Sequence, residues 1–344
     1  MYPLTFEPIY KQKVWGGRSF QRKLGRSLPG GPGVPVGESW ELADLGRTSA
    51  SGGGGGAERS RVANGPFAGQ TLHELIAAHE RETLGNLPLN AFGEFPLLLK
   101  YLDARQNLSV QVHPSAEYAA AHDDAYLKSE AWYIVDAEPG AVIYKGVREG
   151  VTPEQLRAAL EQNTDDAVVP LLIEIPVQTG DCHYLPSGTC HALGAGLLVA
   201  EVQTASDTTF RVYDWGREGR ELHIDEALKC IHFGPADARR YEKLAMLRND
   251  GTTRTRLVVC EHFRIDHIEA EADYEQALAY DQPVVWMVLD GRASLTTADG
   301  QALEVERGET VYMPPAMRDG RLRVAAPLTW LEISFPAAAP KSIA

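Results

Sequence analysis

The sequence has no long apolar run, few cysteines and a deficit of basic residues. No stretch approaches the roughly 20 apolar residues of a membrane-spanning helix. The N-terminal residues do not combine a charged start with an apolar core, so we expect no secretory signal. The four cysteines form no C-x-x-C pair. We expect them to be free, buried thiols in a reducing cytoplasm.

The balance of charge argues against nucleic acid as a partner. The chain has 33 lysines and arginines against 47 aspartates and glutamates, which gives a net charge of −14. A phosphate backbone requires a basic surface, whereas a small anionic substrate needs only a local group of cations. The length of 344 residues is sufficient for two domains. We expect a monomer or a weak homo-oligomer with no membrane partner.

The stretch Gly180–Trp215 organises the rest of the chain. Its first half spaces a glycine, a proline, a second glycine and a histidine at Gly180, Pro186, Gly188 and His191. Proline fixes φ and glycine permits a positive φ, so this spacing predicts a strand, a tight turn and a returning strand. The turn directs His191 to the inner face of a small β-barrel, an arrangement typical of the second half of a cupin metal site.

Part of this pattern occurs twice. The segment WYIVD at 132–136 resembles WMVLD at 286–290, and the Gly180–His191 spacing recurs at Gly308, Pro314, Ala316 and Asp319. Val284 stands where the first copy has Glu130, and Asp319 stands where it has His191. The sequence therefore predicts a mainly β protein with two cupin (jelly-roll) barrels, of which the second has lost its metal ligands.

The first copy contains an insertion. From Asp136 to Gly180 there are 44 positions, but from Asp290 to Gly308 there are 18, so the insertion has 26 residues. Thr152 and Gln155 form a helix-capping signal inside it, which predicts a small helical insertion near residues 150–170. We expect a catalytic domain at residues 1–246 and a metal-free domain at 247–344, with a linker near 247–255.

Two further local signals lie before the first metal segment. Thr71 and Glu74 form another capping signal, which predicts an amphipathic helix over residues 72–84. The glycine run Gly52–Gly56 is not followed by G-K-[ST] and is interpreted as a flexible surface loop rather than a phosphate-binding loop.

Four residues are expected to converge inside the first barrel. Gln111 and His113 lie two apart on a predicted strand and therefore leave it by the same face. With Glu130 and His191 they supply two imidazoles, a carboxylate and an amide oxygen. This set suits Zn²⁺ with room for water or substrate, although two histidines and one carboxylate also fit a non-haem Fe(II) site.

Cationic residues occur close to these segments. Lys100 interrupts the apolar strand FPLLLKYLD, so it either points into a site or extends to the rim of the barrel. Together with Lys128 and Arg211 it predicts a positive pocket in an acidic protein. Strand alternation places Glu201 on the same face as Val199 and Gln203.

Four segments closely resemble the type I mannose-6-phosphate isomerases in their shorter bacterial form. They are FPLLLKYLDARQNLSVQVHP, KSEAWYIV, LPSGTCHALG and VQTASDTTFRVYDWGR, and the resemblance covers nearly the whole chain. The glycine run departs from the more varied loop of the family. The resemblance implies a zinc-dependent isomerase that interconverts mannose 6-phosphate and fructose 6-phosphate. It implies that Gln111, His113, Glu130 and His191 bind one Zn²⁺, that Arg211 is catalytic, and that Lys100, Lys128, Ser109 and Glu201 lie in the pocket.

The implied reaction moves a proton between C1 and C2 through a cis-enediol or enediolate. Arg211 would stabilise its charge, and the base is Glu201, a lysine of lowered pKa or a zinc-bound water. A cupin Fe(II) oxygenase and a non-catalytic sugar-phosphate-binding protein are the alternatives. The second alternative predicts loss of Glu201 or Arg211, and both residues are present.

Overall fold

The computed structural model describes residues 1–336 apart from 50, 52–55, 235–244, 250, 299 and 318. Most of the predicted glycine loop, residues 52–55, therefore lies outside the described residues. The protein is 41% strand and 16% helix with antiparallel sheets, which confirms the prediction of a mainly β fold. No helix among the described residues is both long and apolar enough to cross a membrane.

The described residues form the following elements in chain order. The strands are β1 (Leu4–Thr5), β2 (Ile9–Lys11), β3 (Glu38–Leu42), β4 (Asp44–Leu45), β5 (Glu58–Arg59), β6 (Leu97–Ala104), β7 (Val110–Val112), β8 (Glu130–Ala137), β9 (Val142–Val147), β10 (Leu172–Pro176), β11 (Cys182–Leu185), β12 (His191–Leu193), β13 (Leu197–Thr204), β14 (Phe210–Tyr213), β15 (Ala245–Asn249), β16 (Thr252–Val259), β17 (Arg264–Ala270), β18 (Glu275–Leu278), β19 (Val284–Thr296), β20 (Ala302–Glu306), β21 (Thr310–Met313) and β22 (Gly320–Ser334). The helices are α1 (Ser19–Leu24), α2 (Leu72–Ala78), α3 (Glu80–Leu84), α4 (Ala116–Ala121), α5 (Pro153–Gln162), α6 (Asp165–Val168) and α7 (Ile224–Cys230), with 3₁₀ turns at Gly65–Phe67 and Val169–Leu171.

The chain divides into two compact units. The site unit comprises Pro8–Ser60 and Asn90–Arg240, and the C-terminal unit comprises Met1–Glu7, Arg61–Leu89 and Tyr241–Ala344. Two early segments, 1–7 and 61–89, thus belong with the C-terminal part of the chain. The domains predicted from the sequence, 1–246 and 247–344, place both segments in the first domain. Residues 247–249 and 252–255 of the segment predicted as a linker belong instead to the antiparallel strands β15 and β16, which pair in register.

The site unit is built from two large antiparallel sheets, and β4 and β5 form a separate two-stranded pair. One has the order β10-β9-β12-β7-β14, and the other has the order β11-β8-β13-β6-β3-β2. Apolar side chains from both sheets, among them Trp132, Ile143, Leu193 and Val199, form one buried cluster. The sheets therefore pack face to face, and the inner face of each presents its alternate residues to the same interior.

Helices cover the outer face of the five-stranded sheet. Val110 and Val112 of β7 pack in one cluster with Leu156 and Leu160 of α5 and with residues of α7. The predicted capping box of α5 is present, since the Thr152 side chain accepts a hydrogen bond from the backbone N–H of Gln155. Because Val110 and Val112 point outward, Gln111 between them points toward the other sheet.

The C-terminal unit contains a nine-stranded sheet with its own core. Its strand registers reproduce those of the site unit at the repeated segments. Glu130 pairs with Leu185, the residue before Pro186, and Val284 pairs with Met313, the residue before Pro314. The repeat seen in the sequence is therefore also a repeat of strand pairing.

The capping box at Thr71 and Glu74 is confirmed, but the predicted helix 72–84 is interrupted at His79, whose φ of −141° is not helical, and forms α2 and α3.

All four cysteines are free as predicted, and three of them are buried, while Cys260 is partly exposed.

Candidate metal centre and substrate cleft

The three candidate ligands with ionisable side chains meet between the two sheets. His191 lies on β12 directly opposite Gln111 of β7, and His113 follows the last residue of β7. Glu130 is the first residue of β8 in the facing sheet. The ligand atoms of His113, Glu130 and His191 lie within 4.8 Å of one another, and all three residues are buried. The structure thus brings these three predicted ligands together.

The hydrogen bonds of the two imidazoles leave their Nε2 atoms as acceptors. His113 Nδ1 lies 3.0 Å from the carbonyl of Thr208, and His191 Nδ1 lies 2.8 Å from the carbonyl of Thr189. A carbonyl only accepts, so both Nδ1 atoms carry the proton of the neutral ring. This arrangement is the usual orientation of metal-binding histidines.

Both Nε2 atoms face the same carboxylate. The distances are 3.1 Å from His113 Nε2 to Glu130 Oε2 and 3.2 Å from His191 Nε2 to Glu130 Oε1. Burial lowers the pKa of His113 to about 3, with further lowering by Lys128, so this ring is neutral at pH 7. Two imidazole nitrogens and a carboxylate that face one another at these distances form a nitrogen and oxygen donor set that fits a divalent metal ion.

Gln111 approaches this group through its amide. Its Nε2 is 3.3 Å from His191 Nε2 and donates to that lone pair. A half-turn about the last side-chain bond exchanges the amide nitrogen and oxygen. The oxygen then takes the same position, so Gln111 is placed to act as a fourth, neutral ligand.

Lys128 and Glu130 form a buried ion pair at the edge of the metal group. Lys128 Nζ is 2.9 Å from Glu130 Oε2, and both side chains are nearly inaccessible. Burial alone would raise the pKa of Glu130, but the ammonium of Lys128 is the strongest opposing effect, and the net pKa lies well below its usual range. Glu130 therefore stays ionised, as a metal ligand must.

Lys100 and Glu201 are directly opposite each other on β6 and β13. Lys100 Nζ lies 3.2 Å from Glu201 Oε2, and the indole N–H of Trp132 donates to Glu201 Oε1 at 3.0 Å. Lys100 is only 8% exposed, so it does not extend to the rim of the barrel. Burial lowers its pKa, but Glu201 and Glu38 raise it more, and the net shift is upward. Lys100 is therefore not a lysine of lowered pKa.

Arg211 of the five-stranded sheet and Ser109, the residue before β7, lie beside the candidate metal group. Arg211 of β14 is opposite Gln111, and its Nε donates to Ser109 Oγ at 3.2 Å. Its Nη1 donates to the carbonyl of Glu221 at 3.0 Å. These two hydrogen bonds fix the guanidinium at the wall of a cleft beside the candidate metal group.

A cleft of about 610 Å³, its open mouth included, connects these groups. Five predicted site residues besides Gln111 line it: Lys100, Ser109, Lys128, Glu201 and Arg211.

Several other lining residues were not singled out from the sequence. They are Lys13, Trp15, Glu38, Trp40, Leu102, Leu108, Asp207, Thr209 and Arg220. Glu38 accepts from the Trp40 indole at 2.7 Å and from Lys13 at 3.0 Å. Burial raises the pKa of Glu38, but the lowering by Lys13 and Lys100 is larger, and the net pKa is about 2. Glu38 is the first residue of β3, all of whose residues are buried. Burying a carboxylate costs free energy, as burying Lys100 in β6 does, so a glutamate in a predicted strand was the signal that could have found it.

The chain is similar to known proteins in sequence and in structure. The family described as phosphomannose isomerase type I, catalytic domain, matches residues 4–143. The mannose-6-phosphate isomerase of Streptococcus mutans is 34% identical over 336 residues, which are 94% of this chain and 97% of that protein. The crystal structure of the mannose 6-phosphate isomerase from Bacillus subtilis has a TM-score of 0.83 at 30% identity and covers 97% of this chain and 100% of its own.

More distant structures share the fold. A mannose 6-phosphate isomerase crystallised with zinc and yttrium has a TM-score of 0.70 at 17% identity, over 96% of this chain and 99% of its own. The resemblance seen in the four sequence segments is thus confirmed over nearly the full length. The chain belongs to the type I phosphomannose isomerase family.

Proposed function

We propose that this protein is an aldose–ketose isomerase that interconverts mannose 6-phosphate and fructose 6-phosphate. The observation that carries the proposal is the convergence of two imidazole Nε2 atoms on one buried carboxylate at a cleft lined by Lys100, Lys128 and Arg211. A metal site beside fixed cations suits a phosphorylated sugar whose reaction develops negative charge. The relatives named above carry the same activity in their names.

The metal that we propose is one Zn²⁺ per chain, held by Gln111, His113, Glu130 and His191. Nitrogen and oxygen donors suit zinc, and one distant relative was crystallised with it. When bound, the ion supplies a Lewis acid that polarises the sugar oxygens. In the C-terminal unit, Val284 occupies the position of Glu130 in the strand register and offers no ligand atom.

The remaining steps are assigned to side chains of the cleft. Glu201 has a pKa raised by burial, which outweighs the opposing effect of Lys100, so we assign it the proton that moves between C2 and C1. Arg211 stabilises the negative charge of the enediolate, because its guanidinium is held at the wall of the cleft. Lys128 holds Glu130 and presents its ammonium to a sugar oxygen, while Ser109 and Lys100 contact the substrate.

The test is a coupled assay of fructose 6-phosphate formation from mannose 6-phosphate, with elemental analysis of the same sample. Chelation is expected to abolish turnover, and Zn²⁺ is expected to restore it at one equivalent per chain. Full activity in a sample shown to be metal-free would contradict the proposal. Oxygen consumption without isomerisation would instead support the Fe(II) oxygenase alternative.

A further inference from the structure

A second cleft lies in the site unit on the outer side of the five-stranded sheet. We call it the aromatic cleft. It is lined by Tyr144 of β9 and by Trp215, which follows β14, together with polar residues around them. The ring centroids of Tyr144 and Trp215 are 5.5 Å apart, and their planes are tilted by 47°. The two rings give the cleft an aromatic wall.

The indole of Trp215 is held in place at an energetic cost. Its backbone has φ of +54°, in the left-handed region that bulky residues rarely adopt. Its indole N–H donates to the carbonyl of Leu108 at 2.6 Å, which fixes the ring plane. Such strained residues occur preferentially at functional sites, where the surrounding structure holds them.

Polar groups of both kinds surround this wall. Asp165, Asp166 and Glu174 supply acceptors, and Arg148 supplies donors. Glu174 is hydrogen-bonded to the Tyr144 hydroxyl, and Asp165 accepts from the Tyr213 hydroxyl. Within the part of the chain that the structure describes, the side chains of Arg148 and Asp166 have no hydrogen-bond or ion-pair partner. They are available to a ligand.

Asn107 adds a further donor. Its Oδ1 is occupied by the backbone N–H of Ala195 at 2.8 Å, so its amide NH₂ group is the part that remains to bind. It belongs to the segment 107–109, and the two residues that follow it, Leu108 and Ser109, line the substrate cleft. The aromatic cleft is thus a separate cavity on the other side of this segment.

We propose that the aromatic cleft binds an uncharged pyranose sugar. The C–H face of a pyranose packs on an aromatic wall, and its hydroxyls both donate and accept, which matches carboxylates beside a guanidinium and an amide. Three carboxylates against one guanidinium disfavour a sugar phosphate, so the ligand differs in charge from the substrate that we propose. A polyamine would match the carboxylates but would be repelled by Arg148.

The test is ligand-observed NMR titration of the full chain with methyl α-D-mannopyranoside, methyl α-D-glucopyranoside and methyl α-D-galactopyranoside. At least one glycoside is expected to bind. Asp166→Asn and Arg148→Ala, both at exposed positions, are each expected to weaken it about tenfold or more, because each removes a charge-assisted hydrogen bond. The matched controls Glu161→Gln and Arg321→Ala change exposed residues outside the cleft and are expected to leave the dissociation constant unchanged.

A second arm separates the two cavities. With excess mannitol 6-phosphate in the substrate cleft, the glycoside is expected to stay bound to wild type. This arm alone rests on the proposed function, whereas the four variants do not. Absence of glycoside binding, equal binding by Asp166→Asn, Arg148→Ala and wild type, displacement by mannitol 6-phosphate, or binding of putrescine in place of the sugars would each overturn the proposal.

Discussion

At the scale of single residues, two buried glutamates of the cleft have opposite pKa shifts. Lys128 holds the pKa of Glu130 low despite burial, whereas burial dominates at Glu201 and raises its pKa. A pair of carboxyls whose surroundings separate their pKa values is typical of a division of roles. Glu130 is suited to remain an ionised ligand, and Glu201 is suited to exchange a proton.

Arg211 provides a direct test of charge stabilisation. We expect Arg211→Ala to lower kcat by about 100-fold or more while the metal content stays at the wild-type level, because the guanidinium acts on the developing charge. Arg211→Lys should recover only part of the rate, since an ammonium cannot reproduce the planar fork. The matched control is Arg157→Ala, which removes an exposed arginine paired with Asp225. Near-normal kcat for Arg211→Ala would exclude a role in the chemical step.

Gln111 tests the charge of the metal site. Gln111→Glu keeps nearly the same shape but adds one negative charge next to His191. Metal binding should be retained or tightened, whereas kcat should fall by roughly 10- to 1000-fold, because the enediolate is stabilised less. The measurement is steady-state kinetics on a sample with a full equivalent of metal. An unchanged kcat with a raised KM would show instead that the amide acts in substrate binding.

At the scale of elements, the turn between β11 and β12 positions two residues of the candidate metal group, His113 and His191. Gly188 has φ of +81°, and its N–H donates to the carbonyl of His113 at 3.1 Å. A Cβ at this glycine would lie 2.7 Å from His232 Nε2 and 2.9 Å from the carbonyl of Cys230. The turn thus links the two histidine ligands, with His191 three residues further along the chain.

Gly188→Ala is therefore expected to lower the free energy of unfolding more than a Gly→Ala substitution at a position where only the positive φ is unfavourable. The matched control is Gly150→Ala, since Gly150 has φ of +86° and nothing within 4 Å of its added Cβ. We expect the control to lose about 1 kcal/mol of unfolding free energy and Gly188→Ala to lose on the order of 2–4 kcal/mol together with metal affinity. Urea denaturation and metal titration measure both quantities. Equal losses for the two variants would show that the contacts with His232 and Cys230 are unimportant.

At the scale of the whole molecule, both units keep a buried tryptophan–glutamate pair. In the site unit Trp132 donates to Glu201, and in the C-terminal unit Trp286 donates to Glu332 at 3.1 Å, in the same strand register. The cation at Glu332 is Arg254, 2.7 Å away. The repeat thus retains a buried carboxylate in both units, whereas the ligand group of His113, Glu130 and His191 is found only once among the described residues.

The buried cluster of Glu38, Lys13 and Lys100 makes stability depend on pH. The pKa of Glu38 is about 2 in the folded protein, against 4.5 for an unperturbed glutamate. Because the pKa is lower in the folded state, the ionised carboxylate stabilises the fold fully at pH values above the pKa of the unfolded state. This stabilisation is lost as the pH falls from about 5 toward 2. The contribution at pH 7 is on the order of 3 kcal/mol.

Glu38→Gln should therefore lower the free energy of unfolding at pH 7 and lower it less at pH 3. Urea denaturation of wild type and variant at both pH values gives the two differences. Glu161→Gln is the control, because Glu161 is exposed, and it should change stability by less than about 0.5 kcal/mol at either pH. The same difference for Glu38→Gln at pH 7 and pH 3 would contradict the low pKa.

Many local features followed from the sequence because they depend on a few neighbouring residues. The capping boxes at Thr71 and Thr152, the Pro186–Gly188 turn and the shared face of Gln111 and His113 each follow from backbone preferences or the two-residue period of a strand. The repeat gave the correct strand register of Val284 because both copies keep the same spacing. His113, Glu130 and His191 belong to these short segments, which is why their convergence in one candidate metal group could be predicted.

Tertiary structure alone decided the features that depend on pairing between distant strands. Glu38 reaches the cleft because β3 pairs with β6 in the register that places Trp40 opposite Lys100. Lys13, which follows β2, forms its ion pair with Glu38 there. The segments 1–7 and 61–89 join the C-terminal unit because β1 pairs with β21, about 300 residues away in the chain. The pKa of Lys100 is raised rather than lowered because two carboxylates from other strands meet it in the interior. Such shifts depend on distances through space, and sequence periodicity contains no information about them.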